Sequence, residues 1–102
     1  MKQKIFKDKY HIYEIIYKKE ELTLNSVDDI INALKEKIDK HPVITYIATF
    51  DQYAHTSSLE NSEINPKIKA AKNIVFCFGK ELPIPEVLAV RPRSIGVCEL
   101  EE

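Results

Sequence analysis

The clearest pattern in the chain is a stretch of apolar residues spaced three or four positions apart. It comprises Val27, Ile30, Ile31, Leu34 and Ile38. This spacing places the apolar side chains on one face and predicts a single long amphipathic helix over residues 26–40. Ser26 is suited to cap its start. His41 and Pro42 end it, because the residue before a proline is disfavoured in helical geometry.

Segments rich in β-branched and aromatic residues predict four strands, at residues 10–17, 43–50, 73–78 and 94–100. The two middle segments carry no charge and are expected at the centre of the sheet. Asn65 followed by Pro66 predicts a short helix that ends near Lys72. Helical turns are also expected at residues 86–90. The pattern therefore predicts one α+β domain over residues 1–102, with a mixed or antiparallel sheet of about four strands, one long helix and one or two short helices.

The predicted strands are apolar on both faces, so the sheet needs cover on both sides. A single long helix can cover only one of them. We therefore expect a second copy of the chain to pack on the other face and predict a homodimer.

The charge balance and the glycine content exclude several classes of function. The 102 residues include 15 basic and 16 acidic side chains, for a formal net charge of -1, whereas nucleic-acid-binding domains are usually strongly basic. A cluster of lysines near the amino terminus is more simply a solvated face than a nucleic-acid site: Lys2, Lys4, Lys7 and Lys9. The two glycines, Gly79 and Gly96, are too far apart for the glycine-rich loops that cradle phosphates.

The apolar runs of the sequence bear on where the protein is located in the cell. No apolar run approaches the roughly 18 residues of a membrane span, and no signal-peptide pattern is present, so we expect a cytoplasmic protein without membrane contact.

Cys77 and Cys98 lie inside apolar runs and are predicted to be buried thiols. Together with His11, His41 and His55 they lack the spacing of metal ligands, so neither a metal site nor a cofactor is predicted.

The segment DQYAHTSS, which follows the second predicted strand, holds the first candidate polar cluster. It contains Asp51, Tyr53, His55 and Thr56. If the segment turns helically, the Asp51 carboxylate could orient the His55 imidazole as a general base. The alternative is a hydrogen-bonded loop in which Asp51 caps a turn.

The second candidate cluster is Arg91-Pro92-Arg93. In an extended chain, residues two apart point the same way, so both guanidinium groups could hold one anion. They could equally face solvent or pair with acidic side chains. The leading hypothesis is a small anionic ligand bound by Arg91 and Arg93 together with Tyr53 and Thr56. Two alternatives stay open: a homodimeric or protein-interaction module without a ligand, and a small enzyme that uses His55 as general base.

Three segments, DQYAHTSSL, AKNIVFCFGKELP and PEVLAVRPRSIGV, resemble a family of small bacterial proteins of unknown function. The resemblance extends over nearly the whole chain. It implies a small cytosolic α+β domain without an assigned reaction, and it places the residues of both polar clusters within family motifs. It also implies that similar proteins continue beyond the IGV segment, so that the sheet here lacks an edge strand and a covering helix.

Overall fold

A computed structural model describes residues 2–6, 10–23 and 26–101 and confirms the α+β class. This part of the chain forms two antiparallel sheets, one with two strands and one with three, and two α-helices. In chain order the elements are β1 (Lys2–Phe6), β2 (Tyr10–Glu14), α1 (Val27–Lys40), β3 (Thr45–Asp51), α2 (Gln52–Ser57), β4 (Ile68–Cys77) and β5 (Arg93–Leu100). Two 3-10 turns, Lys19–Glu21 and Pro85–Ala89, complete the set.

Helix α1 agrees with the predicted helix in position and capping. The Ser26 hydroxyl accepts a hydrogen bond from the Asp29 amide at 3.1 Å, which satisfies one of the free N–H groups of the first turn. At the other end, the His41 amide donates to the Ile38 carbonyl. The apolar stripe faces the three-stranded sheet.

The core lies where α1 packs on the three-stranded sheet, whose strand order is β3-β4-β5. Ile74, in the central strand β4, is completely buried. It packs with the helix residues Val27, Ile31 and Ile38. Half-buried apolar residues surround this group: Leu34, Ile44, Tyr46, Ala70, Phe76 and Val97.

The short helix predicted to end at Lys72 is wrong, because this segment belongs to β4. The Asn65 side chain accepts a hydrogen bond from the Lys67 amide, and the Ile68 amide donates to the Asn65 carbonyl. This is a turn that leads directly into the strand. Strand β4 is paired on both sides, with β3 and with β5, and that tertiary pairing outweighs the local preference for a helix.

The amino-terminal region forms a hairpin that the sequence predicted only in part. The strand predicted over residues 10–17 ends at Glu14, and its partner β1 was not predicted. The two strands pair antiparallel, with Lys2 opposite Glu14, and an ion pair at 2.8 Å joins Lys4 to Glu14. Strand β1 was missed because its alternating lysines resemble a solvated segment. The hairpin forms its own sheet and makes no extensive contact with the other described helices and strands.

An ion pair ties the segment after the hairpin to strand β5. Lys19 Nζ lies 2.8 Å from Glu99 Oε2. The hydrogen bond from Lys19 lowers the pKa of the Glu99 carboxyl below its ordinary value. The amino-terminal segment is therefore held near the carboxyl end of β5.

The face of the sheet opposite α1 has only partial cover. We call this surface the open face, and strand pairing places on it Thr45, Ala48, Phe50, Ala71, Asn73, Val75, Cys77, Ser94, Gly96 and Cys98. The predicted burial of Cys98 is wrong, since Cys98 is exposed, whereas Cys77 is half-buried. Cys98 is exposed because no described helix covers that part of β5.

Truncating the central core side chain should destabilise the whole domain. We expect Ile74→Ala to lower the free energy of unfolding by about 2–5 kcal/mol, because it leaves a cavity beneath α1. Urea denaturation followed by circular dichroism measures this change. The matched control is Ile16→Ala, since Ile16 is 75% exposed. Equal losses in both variants would contradict the assigned core.

Candidate functional site

Asp51 has a structural position at the junction of β3 and α2. The segment DQYAHTSS does turn helically, and Asp51 Oδ1 accepts a hydrogen bond from the Ala54 amide at 2.8 Å as the N-cap of α2. Its other carboxylate oxygen lies 3.7 Å from Lys72 Nζ. Lys72 also donates to the Asp28 carboxylate in the first turn of α1, and this hydrogen bond raises the pKa of the Lys72 ammonium. The Asp51 carboxylate thus joins β3, α2 and β4.

The His55 side chain packs on an aromatic neighbour. Its ring centroid lies 5.3 Å from that of Phe50, and the two rings are tilted by 53°. In the described part of the chain, no hydrogen bond or ion pair joins Asp51 to His55. A general base needs a carboxylate or another partner to orient its proton-accepting nitrogen. The geometry therefore favours the alternative in which Asp51 caps a turn.

Tyr53 and Thr56 lie together in a small cavity between α2 and β4. The cavity has a volume of about 200 Å³. The Thr56 hydroxyl already accepts a hydrogen bond from the Gln52 amide group at 2.8 Å. Glu63 lines the same cavity, and none of the described lining residues is basic. This cavity does not favour an anion.

A larger cavity lies at the opposite end of the sheet, under the segment that connects β4 to β5. Its volume is about 340 Å³, and we call it the Arg91 cavity. Most of its wall is apolar and includes Ile47, Cys77, Leu82, Val87 and Leu88. Its charged residues are Lys80, Glu81 and Arg91.

The Arg91 side chain braces the connecting segment against the end of β4. Its Nη1 donates a 2.7 Å hydrogen bond to the Glu81 carbonyl, and its guanidinium lies 6.0 Å from the centre of the Phe78 ring. It also lies directly against Gly79, where an added Cβ would come within 2.8 Å of the guanidinium carbon. Gly79 has a φ of 102°, which side chains rarely adopt. The positive φ is the stricter condition and favours glycine, since a Cβ at this position would displace only the movable end of the Arg91 side chain.

Arg93 does not share the site of Arg91. It is the exposed first residue of β5, opposite Phe76 of β4, and it lies outside the lining of the Arg91 cavity. Its side chain has no hydrogen-bond or ion-pair partner among the described residues. The two arginines separate because Arg93 belongs to the strand ladder, whereas the Arg91 side chain turns towards the Glu81 carbonyl.

The two polar clusters lie at opposite ends of the three-stranded sheet. Helix α2 follows Asp51 at one end of β3, and the Arg91 cavity lies near Thr45 and Cys77 at the other. The seven residues of β3 separate these ends by about 20 Å. The described structure therefore does not bring Arg91 and the α2 segment together at one position.

Sequence reasoning missed Lys80 and Glu81 as neighbours of Arg91. They lie ten or more positions before Arg91, and they approach it only because the connecting segment folds back on itself. The sequence signal was Gly79, one of two glycines in the chain, which stands immediately before Lys80.

Residues 2–6, 10–23 and 26–101 contain no group of three or more histidine, cysteine, aspartate or glutamate side chains arranged to hold a metal ion. None of the described helices has the length and apolar character to cross a membrane.

Comparisons with known proteins identify a family without an assigned activity. Residues 1–102 match the model of a family of unknown function, DUF6858. No curated protein and no solved structure gives a significant match. Family membership therefore supplies no catalytic or binding residue.

The capping role of Asp51 can be separated from a catalytic role by substitution. We expect Asp51→Ala to lower the free energy of unfolding by about 1 kcal/mol, because the Ala54 amide loses its acceptor. Asp51→Asn should keep most of this stability, since asparagine caps helices about as well as aspartate. Thermal denaturation of both variants measures the difference. Equal losses in the two variants would contradict the capping role.

Proposed function

The chain belongs to DUF6858, a family of unknown function, and we propose that it binds a small organic anion in the Arg91 cavity. The observation that carries this proposal is an apolar cavity of about 340 Å³ with a guanidinium in its lining. Pockets for small molecules commonly occupy about 300–1,000 Å³ and combine apolar walls with a few polar groups. This proposal retains Arg91 from the predicted ligand set and replaces its other members with Lys80 and the apolar wall.

The charges of the cavity favour a ligand with one negative group. Arg91 uses Nη1 for the Glu81 carbonyl, and its other N–H groups donate to no described residue, so we propose them as the donors to a carboxylate. Lys80 adds a second positive charge, whereas the Glu81 carboxylate in the same lining disfavours a ligand with higher negative charge. The apolar wall would contact a short aliphatic or aromatic body. The proposed ligand class is therefore a small monocarboxylate.

Hexanoate and 1-hexanol form a matched pair of probes, because they share an apolar chain and differ in charge. We expect hexanoate to raise the melting temperature of the protein more than 1-hexanol does at equal concentration. With a dissociation constant of about 1 mM, about 10 mM hexanoate would stabilise the folded state by about 1.4 kcal/mol. Differential scanning fluorimetry measures the shift, which is several degrees for a domain of this size.

Variants of the two arginines identify the site. Arg91→Gln should remove the hexanoate shift, and Arg93→Gln should retain it, with each shift measured against the ligand-free variant. Lys80→Gln provides an independent test that leaves the hydrogen bond from Arg91 to Glu81 in place, and it should reduce the shift. Equal shifts in wild type, Arg91→Gln and Lys80→Gln would overturn the proposal, as would equal effects of hexanoate and 1-hexanol.

A second candidate function, self-association, is supported by the exposed surface area. The chain exposes 8559 Å². A compact monomer of 11.8 kDa would expose about 5,900 Å². Stable protein interfaces bury about 800 Å² on each partner, so the excess is large enough for one.

The amino-terminal hairpin supports self-association as well. An isolated two-stranded hairpin is at best marginally stable in water. Strands β1 and β2 lack extensive contact with the other described elements, and Ile5 and Tyr13 are exposed on them. A second chain would provide an apolar partner for these residues. The hypothesis of an enzyme with His55 as general base has no comparable support, since His55 contacts Phe50 rather than a carboxylate.

Self-association predicts a particle of twice the chain mass of 11.8 kDa. Size-exclusion chromatography with light scattering measures this mass across a dilution series. We expect the dimer mass at high concentration and a decrease towards one chain on dilution. The mass of one chain at the highest soluble concentration would exclude this candidate.

A further inference from the structure

Strand β5 is an open edge of the three-stranded sheet. It pairs with β4 on one side, and no described element pairs with its other side. The register with β4 runs without a shift from Arg93 to Glu99, and residues 94–98 carry no charge. Edge strands are usually protected by charges, prolines or bulges, because a regular edge recruits further strands. Strand β3, at the other edge, has such an irregularity between Tyr46 and Ala48.

The sequence of β5 is complementary to itself when two copies run antiparallel. With Gly96 at the two-fold axis, Arg93 lies opposite Glu99 of the second copy, Ser94 opposite Cys98, and Ile95 opposite Val97. Each end of the paired strands then places a positive side chain against a negative one. Opposite charges at facing positions stabilise antiparallel pairs, and like charges destabilise them.

The faces of the strand are consistent with this register. Facing residues in an antiparallel pair must point to the same side of the sheet. Ile95 and Val97 face Ile74 and Lys72 of β4, which lie on the side of the sheet covered by α1. Ser94 and Cys98 face Val75 and Ala71 on the other side. Every pair in the proposed register joins residues of the same face.

We propose that two copies of this chain pair through β5 about Gly96 and form a continuous six-stranded sheet. The proposal rests on the self-association candidate and specifies its interface. A second copy is the favoured occupant because it would bring the Arg93 side chain, which has no ion-pair partner among the described residues, to the Glu99 carboxylate. That carboxylate already pairs with Lys19 of its own chain, so Arg93 of the second copy would be its second cation. Ile95, which is 41% exposed, would then contact Val97 of the second copy.

A charge exchange tests the register. Arg93→Glu should weaken the dimer, because it places two carboxylates face to face at both ends of the interface. Glu99→Arg should also weaken it, because it places two guanidinium groups face to face, and it removes the ion pair from Lys19 within the chain as well. The expected loss is about tenfold in the dimer dissociation constant for each single variant. The double variant Arg93→Glu with Glu99→Arg should restore much of the affinity, as sedimentation velocity would measure.

A disulfide tests the same register independently of charge. Facing Cα atoms in an antiparallel pair lie about 4.5–5.5 Å apart, within the range that a disulfide spans. Ser94→Cys should therefore form an interchain disulfide with Cys98 of the second copy on oxidation with diamide. Adding Cys98→Ala to the same variant removes the partner thiol and should abolish the covalent dimer. Ser57→Cys, on exposed α2, is the matched control and should form none.

The results separate pairing through β5 from self-association through another surface. A dimer that responds to charge exchange and forms the Ser94→Cys disulfide supports pairing through β5. A wild-type dimer that is indifferent to both single charge variants and forms no such disulfide overturns this interface while self-association stands. A wild-type chain that stays monomeric overturns both.

Discussion

The structure depends on the packing of the apolar stripe of α1 against the central strand of a three-stranded sheet. Ile74 is completely buried at this contact, and Val27, Ile31 and Ile38 cover it. Burial of aliphatic side chains is the largest favourable contribution to folding in a domain of this size. The contact determines which face of the sheet is covered, and it therefore also determines which face remains exposed.

Because α1 covers only one face of the three-stranded sheet, other segments must cover the opposite face. The open face receives partial cover at its two ends, from α2 and from the segment that connects β4 to β5. That segment folds back over the end of β4 and forms one side of the open Arg91 cavity, with the arginine hydrogen-bonded to the Glu81 carbonyl. Gly79 permits this arrangement, because its φ is positive and the Arg91 guanidinium lies close against it. The strand order β3-β4-β5 leaves β5 at an edge of the sheet, and residues 94–98 of this edge carry no charge.

Ionic contacts link elements that are distant in sequence. Lys72 of β4 contacts the carboxylates of Asp28 and Asp51, and so joins the beginning of α1 to the cap of α2. Lys19 and Glu99 join the segment after the hairpin to β5. Exposed pairs of this kind contribute little to the free energy of unfolding. These pairs instead hold distant segments near each other, because the Asp51 carboxylate contacts Lys72 and the Glu99 carboxylate contacts Lys19.

The amino-acid sequence alone determined α1, the three strands of the main sheet, the α+β class and the family resemblance. Local signals are sufficient for these features: a 3.6-residue apolar period, a serine cap at Ser26, and runs of β-branched residues. Only the tertiary structure decided that residues 68–72 form strand rather than helix, because strand pairing is a contact between distant segments. It also decided that Asp51 caps α2 and that Arg91 and Arg93 separate, since the direction of a side chain depends on which backbone group lies within its reach.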